Sequence, residues 1–232
     1  MNEAWLKEHK YMILRVFSHS VEGDLLGGRK GIVQDGDFDF AIYNIGEGTR
    51  VYAPDPTLVL PLASISVEEE SSKDCFLEAL EESRMIIGYD VAKFDLPLIE
   101  NALEVKTDGM VKDLLMVATD ATQSHYGNKT ERIPLWQLYK SNAKTGYSAF
   151  FSAYLANYYA RLRDWRKGGT RSVLKSTLYD VELIGLIAHS IYKSNLIKFP
   201  DKESNKTVSM VHDFKELGLS AANSPHKSFE TV

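Results

Sequence analysis

The feature that most constrains the fold is a change of hydrophobic period within residues 85–99. Met85, Ile86 and Ile87 form an apolar run that meets Gly88, after which Phe94, Leu98 and Ala102 recur at every fourth position. A strand that passes through a glycine into a helix is the repeating step of an α/β fold. Asp95 falls in the first turns of that helix, between Phe94 and Leu96. Packed neighbours on both sides aim such a carboxylate at a cleft. The other use of an acid at a helix start is to complement the helix dipole.

The remaining elements are read from period and punctuation. A chain of 232 residues suits one α/β domain, expected over residues 1–214, with a polar, disordered tail over 215–232. Tyr11 to Phe17 is rich in strand formers and predicts a largely buried first strand. Phe38, Phe40 and Ile42 alternate with Asp39, Ala41 and Tyr43, and Gly46-Glu47-Gly48 turns this second strand into Thr49 to Ala53, an antiparallel meander. Ser71 or Ser72 can cap a helix carrying Phe76, Leu77 and Leu80, with Glu68-Glu69-Glu70 solvating the connection before it. Gly109 to Leu115 reads as a short strand containing Asp113, and the polar stretch Thr119 to Glu131 as a loop. Pro134 opens a helix through Leu135, Leu138 and Tyr139. An aromatic stripe of Phe150, Phe151, Tyr154, Leu155, Tyr158, Tyr159, Leu162 and Trp165 predicts a long helix ended by Gly168-Gly169. Such stripes serve core packing more often than base stacking. Thr170 is the expected cap of a further helix with Val173, Leu174, Leu178, Val181, Ile184 and Ile187 on its apolar face, and Thr207 to Phe214 is expected to add a last strand.

Composition narrows the function classes. The formal net charge is −5, so any contact with nucleic acid must be local rather than a wrapping of the whole surface. Arg161, Arg163, Arg166, Lys167, Arg171 and Lys175 cluster with only Asp164 among them. They suit the phosphates of a strand or a solvated basic face. The lone Cys75 excludes an internal disulfide framework, and no Cys/His cluster spells a zinc site. No apolar run approaches a membrane span and the N-terminus lacks a secretory core, so a cytoplasmic protein without membrane contact is expected.

The stretch Gly88, Tyr89, Asp90, Phe94, Asp95 resembles the second motif of the ribonuclease H-like 3′-5′ exonucleases that carry four acidic metal ligands. Leu174 to Leu183, through Asp180-Val181, resembles the Tyr-Cys-x-x-Asp-Val helix of their third motif. Arg163 to Gly168, Val111 to Leu114 and Thr207 to Phe214 are similar to segments of the branch associated with bacterial helicases. The resemblance spans Tyr11 to Phe214. It implies a ribonuclease H-like mixed sheet with an antiparallel meander at its N-terminus and helices on both faces. It also implies Asp95 and Asp180 as catalytic residues and metal ligands, Mg²⁺ or Mn²⁺ as cofactor, and Arg163, Arg166, Lys167 and Arg171 beside a cleft for single-stranded DNA or RNA.

The same resemblance implies Asp-x-Glu after the first strand, and this chain has Ser18-His19-Ser20. Ser176 stands where the family places the residue that handles the attacking water. Two dications about 4 Å apart need several oxygen anions, and a serine supplies no charge. Three of five expected catalytic positions, Ser18, Ser20 and Ser176, are thus replaced. The expectation is a degenerate site in a domain that binds nucleic acid or a nucleic-acid-processing protein. The rivals are an active exonuclease whose ligand set is rebuilt from Glu22, Asp24 or Asp90, with His19 as a transition-metal candidate, and a non-enzymatic protein-interaction domain.

Overall fold

The computed structural model describes residues 3–19, 38–55, 69–127, 132–143, 158–201, 204, 206–212, 214 and 219–220. Helix α1 (Glu3–His9) leads into β1 (Tyr11–Phe17), and β2 (Phe40–Asn44) and β3 (Thr49–Tyr52) follow. All three lie in one sheet as the antiparallel meander expected from their alternation, with Ile13 opposite Asn44 and Ala41 opposite Tyr52. A short β4 (Glu69–Glu70) lies parallel to β3, so two of the three acids taken as solvating a connection extend the sheet edge instead. Helix α2 (Lys73–Glu82) is capped by the Ser72 side chain. Then come β5 (Met85–Gly88), a π-helical turn (Val91–Asp95) continuous with α3 (Leu96–Leu103), and β6 (Met110–Asp113). Strands β1, β5 and β6 are parallel neighbours. With β9 (Leu219–Ser220) antiparallel to β6, the order is β4-β3-β2-β1-β5-β6-β9.

Helices cover both faces, because the central strands are apolar on both sides. Ile13, Phe17, Phe40, Ile42, Met85 and Ile87 face one core, and Met12, Leu14, Val16, Ala41, Tyr43 and Ile86 face the other. The first core takes α1, α4 (Leu114–Tyr126), α5 (Leu135–Asn142), α6 (Tyr158–Arg166) and α7 (Thr170–Ser194). The second takes α2 and α3 through Phe76, Leu80, Leu98 and Ile99. Apolar side chains removed from water on both faces are the main stabilising contribution, at about 25 cal/mol per Å².

Several expectations are corrected here. Residues 119–126 are helical, the greater part of α4, and not a loop. Leu114, Val117, Ala118 and Ala121 are buried at helical spacing, and Asp113 caps the start. Gly169, not Thr170, occupies the cap position of α7. Thr207–Val211 is a strand, β8, but among the described residues it pairs with β7 (Leu196–Pro200) alone, in a separate ribbon. Of the aromatic stripe, Phe150, Phe151, Tyr154 and Leu155 lie outside the described residues. Leu162 is buried, and Trp165 packs on Phe17 and Phe40, which is the core use of such a stripe.

Candidate functional site

Gly88 decides how the chain leaves β5. A Cβ on it would stand 2.4 Å from Val91 Cβ, so only glycine lets the strand end turn this closely into the helical segment. Asp90 follows in the left-handed region at φ 66°, a conformation aspartate tolerates better than most residues. Its backbone N–H and that of Ala92 donate to the Asp113 carboxylate at 2.9 and 3.1 Å, and the same carboxylate accepts from Leu115 N–H. The acid on β6 is therefore a fastener between two helix starts. Arg132 donates to the Asp90 side chain at 2.9 Å. Pro97 has no N–H to give, and the turn before it is wound wider, with Leu96 N–H bonding Val91 C=O.

This wide turn places Asp95 inside the protein rather than at a cleft. Its side chain is fully buried, and Oδ2 accepts from Arg15 Nη1 at 3.2 Å. Among the described residues Oδ1 has no hydrogen-bond partner. Burial raises the carboxyl to about 7, and Arg15 pulls the other way.

Arg15 belongs to the β1 row that contains Ile13 and Phe17. Its guanidinium also donates to Tyr89 C=O at 2.8 Å, and Nε lies 3.6 Å from Asp180 Oδ2. Asp180 in turn accepts from both ends of Arg161, Nη1 to Oδ2 at 2.6 Å and Nη2 to Oδ1 at 3.0 Å. The structure thus brings Asp95 and Asp180 to one guanidinium, in a cluster of two acids and two arginines contributed by β1, the π-turn, α6 and α7. Ser176, one turn before Asp180, is buried and donates to Val173 C=O at 2.7 Å, so its hydroxyl is spent on its own helix.

The residues read as the altered first motif lie apart from the two acids or outside the described residues. Ser18 is fully buried and shares parity with the Met12, Leu14, Val16 row that faces the second core. The β1 residue that reaches the two acids is Arg15. His19 bonds Asp39 through both its backbone N–H and Nδ1, at 2.6 and 2.7 Å, which gives that histidine a local structural partner. Ser20, Glu22 and Asp24 lie outside the described residues. Asp90, the remaining candidate for a rebuilt ligand set, is engaged by Arg132.

Mg²⁺ or Mn²⁺ does not fit this donor set. Each acid already holds a guanidinium at ion-pair distance, and no group of three or more acids, histidines or cysteines suited to a metal occurs among the described residues. A cavity of about 360 Å³ opens elsewhere, beside Asp90, Lys93, Asp120 and Arg132, and Asp95 is not among its lining residues.

Arg161, taken with the basic cluster in the sequence, is buried and belongs to the acids. Arg163, Arg166, Lys167, Arg171 and Lys175 are exposed, around the turn from α6 to α7. Gly168 makes that turn at φ 78°. Arg15 and Arg161 are the partners of the two acids that spacing did not identify. The available signal was a cation within an otherwise apolar strand, which must find an anion inside the fold. Among the described residues no helix is long and apolar enough to cross a membrane. No protein-family model matches the chain, and no curated protein matches it.

Proposed function

We propose that this chain is a ribonuclease H-like domain of the 3′-5′ exonuclease type that binds single-stranded nucleic acid without hydrolysing it. One observation carries the proposal. The helix pair α6–α7 turns Arg161 and Asp180 inward to close the acid cluster, and presents Arg163, Arg166, Lys167, Arg171 and Lys175 outward. Hydrolysis by two metals needs carboxylates free to neutralise dications, and here arginines occupy both carboxylates. The exposed cations offer a strand's phosphates a local site on an otherwise acidic chain. The meander of β1, β2 and β3 followed by parallel β5 and β6 supports the fold side of the reading.

The test is fluorescence anisotropy of labelled single-stranded DNA and RNA across a salt series, with Mn²⁺-dependent shortening of the same strands read in parallel. Binding should weaken as salt rises. Replacing Arg163, Arg166 and Arg171 together by Ala should reduce the log–log salt slope by about 2, and neither strand should shorten. Shortening that disappears in an Asp95→Ala, Asp180→Ala protein would establish an active exonuclease instead. Absence of binding to either strand leaves the protein-interaction domain.

A further inference from the structure

We infer that the Arg15 guanidinium occupies the place of a divalent cation, and that it keeps a latent oxygen-ligand site between Asp95 and Asp180 closed. The inference deepens the non-hydrolytic reading and rests on it, but concerns metal binding and not strand binding.

Three observations point to Arg15 rather than to its neighbours. Among the ion pairs described above it is the group that meets both acids, at 3.2 Å from Asp95 and 3.6 Å from Asp180. Its position is fixed by a further bond to Tyr89 C=O, so the charge is held in the middle of the cluster. Arg161 approaches Asp180 from α6 and does not bond Asp95 in the contacts described above. The second acid also retains an unused ligand atom, since Asp95 Oδ1 is buried and has no hydrogen-bond partner among the described residues. A carboxylate offers about four lone-pair positions, so Asp180 can hold Arg161 and still present an oxygen to an ion.

Charge balance makes the inference specific. With both carboxylates ionised, the two acids and two guanidiniums sum to zero, which leaves a dication as an uncompensated buried charge. Replacing Arg15 by Asp gives three carboxylates against one guanidinium. The resulting charge matches that of a hard divalent ion, and the donors are all oxygen, the set preferred by Mg²⁺ and Mn²⁺.

Mn²⁺ binding by electron paramagnetic resonance, with thermal melting in chelator and in millimolar Mn²⁺, tests this on the full chain. Wild type and Asp95→Asn should bind Mn²⁺ equally weakly and show no melting shift. Arg15→Asp should melt lower in chelator, bind Mn²⁺ at least about tenfold more tightly than wild type, and recover its melting temperature with the metal. The gain should vanish when Asp95→Asn is added. Where Arg15→Asp does not fold, Arg15→Gln carries the comparison, with a smaller gain expected. Tight Mn²⁺ binding by wild type that Asp95→Asn abolishes overturns the inference. So does a folded Arg15→Asp or Arg15→Gln protein that binds Mn²⁺ no better than wild type. Should neither variant fold, the comparison of wild type with Asp95→Asn decides alone. A wild type that binds neither metal nor nucleic acid sinks the proposed function and leaves this inference standing, so the two failures are distinguishable.

Discussion

Asp95 shows what a buried acid does to stability when its partner compensates it incompletely. Burial lifts its carboxyl to about 7 in the folded chain, against an ordinary value of 3.8. Between those two values the folded state binds a proton that the unfolded state has released, so the contribution of this group to stability falls as pH rises through the window. The melting temperature of wild type should therefore decline from pH ~5 to pH ~8 more steeply than that of Asp95→Asn, which has no proton to lose there. Equal slopes in calorimetry would show that Asp95 does not titrate in this range. The same residue marks the limit of sequence reading at this scale. Its spacing after Gly88 indicated an acid at a strand-to-helix junction, whereas Asp180, in mid-helix, was singled out only by the motif it resembles. Their partners were not legible, because Arg15 lies 80 residues from Asp95 along the chain and only the folded β1 brings them together.

Asp113 governs two elements at once. Its carboxylate accepts the N–H groups of Asp90 and Ala92 before α3, and those of Leu115 and Met116 at the start of α4. Asp113→Ala should cost about 2–3 kcal/mol in urea denaturation, more than the loss of a single helix cap, with Asp113→Asn recovering part of it. An unchanged midpoint would show that the two helix starts are held by packing alone. Element boundaries were legible where apolar period and a punctuating residue agreed, as at Tyr11–Phe17, at Ser72 before α2 and at Pro134 before α5. Helix α4 was not, because its inner face uses small residues, Ala118 and Ala121, with Thr122, and these give little hydrophobic contrast against its polar outer face. Strand β7 was missed for a related reason. Only Ile197 and Phe199 of its five residues are buried, and Pro200 ends it.

At the scale of the whole molecule, charge is sorted by depth. The formal balance is acidic, yet the turn between α6 and α7 carries five exposed cations, and the innermost arginine of the same helix pair neutralises an acid in the core. This separation makes one surface region electropositive without making the chain basic, and it is why overall charge alone excluded wrapping but could not place a local site. The internal pairs also bear on assembly. The four charges come from positions 15, 95, 161 and 180, and Asp180 gains both of its arginines only after α7 has docked on α6 and on β1. A partly folded chain with its sheet formed but α7 still detached would leave Arg15 on an apolar face without one of its two acids. Such an intermediate is unfavourable, and the last docking step is expected to occur late and together. Arg161→Ala should then accelerate unfolding while leaving the refolding rate nearly unchanged, a φ-value near zero in stopped-flow kinetics, whereas a slowed refolding limb would place the pair in the nucleus. Between β1, the π-helical turn, α6 and α7, this chain has a latch of paired charges that closes only on the correctly assembled fold.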